Sequence, residues 1–478
     1  MTVKADKVFD YFKEICKIPH GSGNTEMIEE YCLDFARKHN LKAVKDAGRN
    51  VIIYADGTKG YENSEPVIIQ GHFDMVCEKT TACKKDMSKD GIDLIIENDW
   101  ITADGTTLGG DDGIALAYIF ALLDLDDIPH PPIEALLTRD EETGMYGAKD
   151  LEADLLKGKK VINIDSEEEG ILTVSCAGGA RANTEFNLDL IDTPYTAAYK
   201  ISIDGLKGGH SGVDIDKHRI NGIKLLGRLL TKLTGSFDLG IAEVNGGGKM
   251  NVIPKTASAV VCVNSENGTA LSSAVKDFET ALLQECRRIE PDVKIDIAPC
   301  ALPEKCFDKA SAEKLAFILF NVLDGIIEMS PDISTLVQTS VNLGVLETDG
   351  GTVKTEHLSR SNAADGLNIV SEQLTSFVNF LGGKITIVND YPAWEYRENS
   401  PLRDAMVRVY EEMYGKKPVI AAIHAGLECG IFAEKIADAD MVSFGPDIEN
   451  VHTPNERMSI ASVERGWDYL LRVLAELK

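Results

Sequence analysis

Three short apolar runs in the first third of the chain end alike, in side chains that bind metals or move protons. Val67–Gln70 runs into Gly71-His72-Phe73-Asp74, Ile133–Thr138 into Arg139-Asp140-Glu141-Glu142, and Lys160–Ile164 into Asp165. Apolar runs of this length read as buried strands. After the first of them comes Gly113–Leu125, a strongly apolar helical stretch that starts directly after Asp111-Asp112. Strand–helix alternation of this kind predicts an α/β fold, a largely parallel sheet with helices on both faces. Such sheets place their sites at the carboxyl ends of the strands, where these polar residues fall.

Each segment also has an ordinary reading. Gly71 is expected to let the backbone turn at the strand edge, and His72 and Asp74, two apart in an extended segment, share a face. A carboxylate beside a metal-bound imidazole fixes its tautomer, yet a His-x-Asp pair alone is more often a satisfied histidine. Asp111-Asp112 can equally be a helix N-cap that complements the dipole. Glu141-Glu142 can be a solvated turn, and Asp165 can belong to the acidic run that continues to Glu169. Convergence at the sheet edge argues against all these readings at once. A second imidazole, His452, lies in Val451-His452-Thr453-Pro454-Asn455-Glu456 near the C-terminal end. Carboxylate and imidazole donors together suit zinc, manganese or cobalt.

Composition excludes other classes. The net charge of −28, with no Lys/Arg cluster, disfavours nucleic acid and anionic membranes. No apolar run approaches the roughly 18–20 residues that span a bilayer. The ten cysteines form no C-x-x-C pair, and the first residues lack the apolar core of a signal peptide. A cytoplasmic protein with free thiols is expected.

Along the chain, Val8, Phe12 and Ile15 mark a helix within 3–18, and Asn24 or Thr25 caps a second. Residues 92–103 read as a hairpin around Glu97-Asn98-Asp99. Near residue 190 the texture changes. Strands near 199–204, 257–264, 293–299 and 339–347 alternate with helices at 217–234, 267–289, 308–325 and 366–382. From Ile385 the earlier pattern is expected to resume. This predicts a discontinuous catalytic domain of 1–189 and 387–478, with an insert of 190–386 long enough for two subdomains.

The segments GHFDMV, LGGDDGIA, TRDEETG, NIDSEEEG, GLKGGHSG and VHTPNE, in this order and spacing, resemble the M20 family of co-catalytic metallopeptidases. The run Asp165–Gly170, the phrase Ile423-His424-Ala425-Gly426-Leu427-Glu428-Cys429-Gly430 and the long insert are similar to its aminoacyl-histidine dipeptidase branch. The resemblance implies a zinc-peptidase-like catalytic domain with a mixed, largely parallel sheet, and an inserted α+β lid of the dimerisation type. It implies two divalent metal ions, zinc foremost with cobalt or manganese as alternatives. Asp111 would bridge them, His72 and Asp165 completing one site, Glu142 and His452 the other. Asp74 would orient His72, Glu141 would be the general base, and the Asp111–Asp112 peptide would be cis. The family often has Asp-Asn where this chain has Asp-Asp.

His210, in the Gly-rich turn of the insert, would stabilise the oxyanion, in many relatives across a homodimer. Asn251, Arg360 and Gly426 would hold the substrate, the Arg360 guanidinium by binding the substrate's C-terminal carboxylate. His20, His39, His130, His218, His357 and His424 are expected to be ordinary histidines. The implied activity is hydrolysis of unblocked dipeptides, Xaa-His and β-Ala-His foremost. The rival readings are an amidohydrolase of N-acyl amino acids and a non-catalytic metal- or peptide-binding protein on the same fold; the intact Glu141 argues against the second.

Overall fold

The computed structural model describes residues 5–125 and 128–478. Two compact units emerge, one of residues 1–176, 394–422 and 427–478, the other of 177–393 and 423–426.

The first unit is built on an eight-stranded sheet in the order Lys42–Lys45, Val51–Ala55, Ile133–Thr138, Val67–His72, Lys160–Asn163, Asp440–Ser443, Ile171–Cys176, Val419–Ile423. The four strands from Ile133–Thr138 to Asp440–Ser443 run parallel. Lys42–Lys45, Val51–Ala55 and Ile171–Cys176 pair antiparallel, so the sheet is mixed. Every residue of Val67–His72 and Ile133–Thr138 is buried. Strands covered on both faces read as continuous apolar runs without alternation, which is why they stood out. The helix Gly110–Leu123 is buried along its whole length from Asp112 to Leu122. Phe120 packs among Tyr11, Tyr31 and Phe35, while Tyr118 stacks on Trp467 and donates to the Val463 carbonyl.

A smaller sheet matters for the site. The hairpin Leu94–Glu97/Trp100–Ala103 turns at Asn98, whose φ of 55° suits asparagine. Its second strand pairs with Arg457–Ser459 just beyond His452.

The second unit is a nine-stranded antiparallel sheet. Its order is Lys294–Cys300, Ala197–Asp204, Ala257–Val263, Gly240–Gly247, Val337–Asp349, Thr352–Ser361, Gly178–Asn187, Lys384–Tyr391, with Gly325–Met329 paired on Val337–Asp349. Leu226, Leu229 and Leu230 of the helix Gly222–Ser236, Leu315 and Leu319 of Lys309–Asn321, and Val370 and Leu374 of Ala364–Phe380 share its core. The βα pattern expected from Ile385 resumes later, with the helix Pro401–Tyr414, the strands Val419–Ile423 and Asp440–Ser443 and the closing helix Ile460–Glu476. Lys384–Tyr391 is instead the edge strand beside Gly178–Asn187, which moves the divisions to 176/177 and 393/394. One continuous sheet runs through the insert, which is long enough to have held two subdomains. The helix expected over 217–234 begins only at Gly222, because His218 is left-handed (φ 53°) and Asn221 caps the N–H groups of Ile223 and Lys224.

Candidate metal centre

The strand ends bring the expected residues together. Asp111 faces two imidazoles at once: Oδ1 is 3.1 Å from Nε2 of His72, and Oδ2 is 3.1 Å from Nε2 of His452. Asp165 Oδ1 lies 3.6 Å from the same nitrogen of His72, and Glu142 Oε1 lies 3.0 Å from that of His452. Donor atoms of Asp111, Glu142 and His452 lie within 4.8 Å of one another, as do those of His72, Glu141 and Glu142. The Asp111–Asp112 peptide is cis.

Local structure explains the convergence. His72 closes the strand Val67–His72, and Asp165 and Glu141 follow the parallel strands on either side. Gly71 does not turn the chain. It is a strand residue paired with Leu137, and its missing side chain is what matters: a Cβ there would lie 2.4 Å from Ala115 Cβ and 2.6 Å from Asp112 Oδ2. Through that contact Asp112 Oδ2 accepts the His72 N–H at 3.1 Å. Glu141 and Glu142 enter a turn in which the N–H groups of Gly144 and Met145 bond the Glu141 carbonyl. Both carboxylates therefore leave from a turn.

The role of Asp74 also differs in detail. His72 Nδ1 is 3.0 Å from the Asp74 main-chain carbonyl and 3.6 Å from its carboxylate. That carboxylate accepts the Glu141 N–H at 3.0 Å and the Ser22 hydroxyl at 2.7 Å. It thus links the Glu141 turn to the His72 segment. Ser22, in the loop after the first helix, carried no sequence signal beyond its Gly-Ser-Gly setting.

Beneath the site lies a buried polar chain. Asn163 Nδ2 donates to Gln70 Oε1 at 2.5 Å, Gln70 Nε2 to Glu428 Oε2 at 2.6 Å, and Thr138 Oγ1 to the same oxygen at 2.6 Å. Glu428 is fully buried, and burial pushes its carboxyl up to about 8. Polar residues inside apolar strands were the available hint.

The electrostatics suit cations. Burial and the charge of Asp165 hold Asp112 well above the carboxylate range. Burial, Asp111 and Glu142 bring Asp165 up to about 6, with His72 opposing. Burial, with the charges of Asp165, Glu428 and Glu142 added and that of His72 opposing, drives Glu141 far up. The carboxylate of Asp111, hydrogen-bonded to it, and that of Glu142, 3.0 Å away, lift His452 to about 11. Among the described residues no lysine or arginine forms an ion pair with Asp111, Glu141, Glu142 or Asp165. Glu142 Oε1 is buried without a hydrogen-bond donor, although His452 Nε2 is close. Carboxylate oxygens opposed to ring nitrogens, with no fixed countercharge, form a donor set that divalent cations fit.

The remaining expected residues lie in the second unit. His210 ends the two-residue strand Gly209–His210 and pairs with Val252 of Val252–Ile253. Its Nδ1 faces the N–H groups of Gly212 (3.2 Å) and Val213 (3.3 Å), and burial together with Arg360 lowers its basicity. The proton of this neutral ring therefore sits on Nε2. Asn251 is half-buried and its carbonyl accepts the Ser211 N–H. Arg360 is buried, donates from Nη1 to the Tyr391 hydroxyl at 2.9 Å and leaves Nε without a partner. His424 is a buried core histidine with both ring nitrogens engaged. Nε2 meets the Ser340 hydroxyl at 2.7 Å, Nδ1 meets Asn362 Oδ1 at 3.2 Å, and burial with the charge of Arg360 lowers it to about 3. Gly426 ends the segment that His424 anchors.

Comparison with known proteins gives this site its class. Residues 68–476 match the profile of peptidase family M20/M25/M40, and the chain belongs to that family of metal-dependent hydrolases. It is an enzyme. It is similar to the cytosol non-specific dipeptidase of Escherichia coli K12, with 35% identity over 98% of this chain and 97% of the relative. It is also similar to the crystal structure of the aminoacylhistidine dipeptidase from Vibrio alginolyticus, at 36% identity and a TM-score of 0.92, covering 98% and 96% of the two chains. A dinuclear metal-binding M20 peptidase of Bacillus subtilis shares the fold at 12% identity and a TM-score of 0.50, over 99% and 97%. No helix among the described residues is long and apolar enough to cross a membrane.

Proposed function

We propose that the chain is a cytoplasmic dinuclear zinc dipeptidase that hydrolyses unblocked dipeptides, with Xaa-His and β-Ala-His as its leading substrates. The observation that carries this reading is Asp111, whose two carboxylate oxygens each face a different imidazole. His72 and Asp165 would hold one cation, Glu142 and His452 the other, with Asp111 shared; zinc, cobalt and manganese accept the same donors. When bound, the pair supplies Lewis-acid polarisation of the scissile carbonyl and a water acidified towards neutral pH.

The chain's own residues then have distinct tasks. Glu141 takes the proton of the attacking water and returns it to the leaving amine. Asp74 holds that residue's main chain and the His72 ring at once. His210, neutral with its proton on Nε2, donates to the oxygen that becomes negative. Arg360, a buried guanidinium without a carboxylate partner among the described residues, binds the substrate's terminal carboxylate in a bidentate manner, assisted by main-chain N–H groups near Gly426 and by Asn251. A homodimer, the expected state, belongs to the same proposal and is checked by sedimentation.

The test is a panel of Ala-His, β-Ala-His, Ala-Ala and N-acetylated amino acids, assayed with and without added zinc. Cleavage of the free dipeptides alone supports the reading, and turnover of only the acetylated compounds overturns it. Glu141→Gln is expected to retain metal while kcat falls about 10²–10⁴-fold. Equal inertness of wild type and variant at full metal loading would mean a binding protein.

A further inference from the structure

Glu456 closes the segment that carries His452, yet its carboxylate is turned away from the donors of the metal centre. It is 2% exposed and grips the main chain before the apolar helix. Oε2 accepts the N–H groups of Leu108 at 2.7 Å and Gly109 at 3.1 Å. Oε1 accepts that of Gly110 at 2.8 Å, with the Asp111 N–H at 3.5 Å. Four successive N–H groups can converge on one carboxylate because Gly109 is left-handed, at φ 68°. Gly110 permits the approach, since a Cβ there would lie 3.2 Å from Oε1.

The other end of the grip is equally fixed. The Glu456 N–H bonds the Thr453 carbonyl at 3.0 Å, and its own carbonyl accepts the Thr102 hydroxyl at 2.8 Å. The His452 ring is by contrast 45% exposed, on a residue with φ 61°, so little packing holds it in place. Asp111 and His452, 341 residues apart, come within 3.1 Å of one another. Glu456, four residues from the histidine, bonds the backbone that presents the aspartate.

We infer that Glu456 is a positioning residue of the metal centre, holding Asp111 and His452 in register so that the cation bound by Asp111, Glu142 and His452 depends on it, while it touches neither cation nor substrate. This rests on the dinuclear reading above. A partner that orients a ligand from outside the coordination sphere commonly accounts for a 10–100-fold effect on metal affinity.

Glu456→Gln tests it. Glutamine keeps one acceptor oxygen and turns an NH₂ towards N–H groups, so half of the grip is replaced by repulsion. Wild type titrated with Zn²⁺ against a chelator is expected to take up two cations per chain. In the variant the cation at Asp111, Glu142 and His452 should bind about 10–100-fold more weakly, and the other, which shares only Asp111 with it, should lose clearly less. The kcat measured in saturating zinc should recover and KM for Ala-His should stay unchanged. Thr102→Val, which removes an anchor of the main chain without touching the carboxylate, should weaken that cation clearly less than Glu456→Gln does. Should Glu456→Gln not fold, Gly110→Ala crowds the same carboxylate oxygen and should weaken the same cation. Two cations bound at wild-type strength, equal weakening of both, or the same loss in Thr102→Val would overturn the inference. His452→Ala separates the two claims: wild type binding fewer than two cations, or this variant keeping both, defeats the dinuclear reading and leaves no centre for Glu456 to position.

Discussion

Gly71→Ala is expected to damage stability and metal binding through a single methyl group. The added Cβ would sit 2.4 Å from Ala115 Cβ and 2.6 Å from Asp112 Oδ2, against the 3.5–4.0 Å of an ordinary carbon contact. Neither neighbour can swing aside. Ala115 has no rotamer, is fully buried and belongs to the Gly110–Leu123 helix, and Asp112 is 1% exposed. Forced overpacking of this kind costs about 1–3 kcal/mol. Displacing Asp112 also breaks its bond to the His72 N–H, leaving a buried donor unsatisfied at about 1–3 kcal/mol more. The sum is about 2–6 kcal/mol. All three tryptophans, Trp100, Trp394 and Trp467, belong to the first unit, so urea unfolding followed by tryptophan fluorescence reports on it directly. Ala115→Gly in the same background removes the methyl–methyl clash, at about 1 kcal/mol for a helical glycine. The double variant should therefore regain part of the stability but not the zinc affinity, because Asp112 still meets the new Cβ. A single variant within about 0.5 kcal/mol of wild type, or strictly additive effects of the two changes, would refute the steric argument.

Three further outcomes are expected. The first concerns Glu428, whose folded carboxyl keeps its proton up to about 8 because it is buried, against 4.5 when unfolded. The folded chain then binds the extra proton between these values, so stability falls as pH rises through this window by up to about 1.4 kcal/mol per unit. Glu428→Gln should flatten that slope in urea unfolding of metal-free protein, and an unchanged slope counts against it. The second is Arg360→Lys, which keeps the charge but loses the planar fork. KM for Ala-His should rise about tenfold with kcat little changed, and the gap to wild type should vanish for the C-terminally amidated substrate. Equal KM values would remove Arg360 from substrate binding. In the third, Ser22→Ala deletes a 2.7 Å bond to Asp74 and should weaken zinc about tenfold without altering KM. Wild-type zinc affinity in a chelator titration would show that Asp74 needs no such support.

The legible parts of this chain were those in which one physical demand acts on consecutive residues. Strands covered on both faces must be apolar throughout, so Val67–His72 and Ile133–Thr138 declared themselves, and the donor groups at their ends followed. Gly178–Asn187 and Lys384–Tyr391 were harder. Their faces differ, with a buried–exposed alternation in the first and an edge position in the second, and the run Lys384–Tyr391 resembles the start of a βα unit. Their pairing partners lie up to about two hundred positions away, which local pattern does not encode.

Within the site the same distinction separates donors from supports. His72, Asp111, Glu141, Glu142, Asp165 and His452 are chemically conspicuous wherever they stand. Gly71 was conspicuous too, but for a reason sequence cannot distinguish: a glycine that bends the chain and one that admits a helix carry the same letter. Glu456 and Glu428 sat inside quoted motifs and had no role until their acceptors' partners were known. One binds only main-chain N–H groups and the other only neutral side chains, so neither has a charged partner to look for. A carboxylate that is buried yet unpaired with any cation demands either a metal or a set of directed donors. In the proposed reading Asp111 and Glu142 belong to the first kind, and Glu456 to the second. Telling the kinds apart requires the backbone, because a main-chain N–H is present at nearly every residue and only the fold aims it.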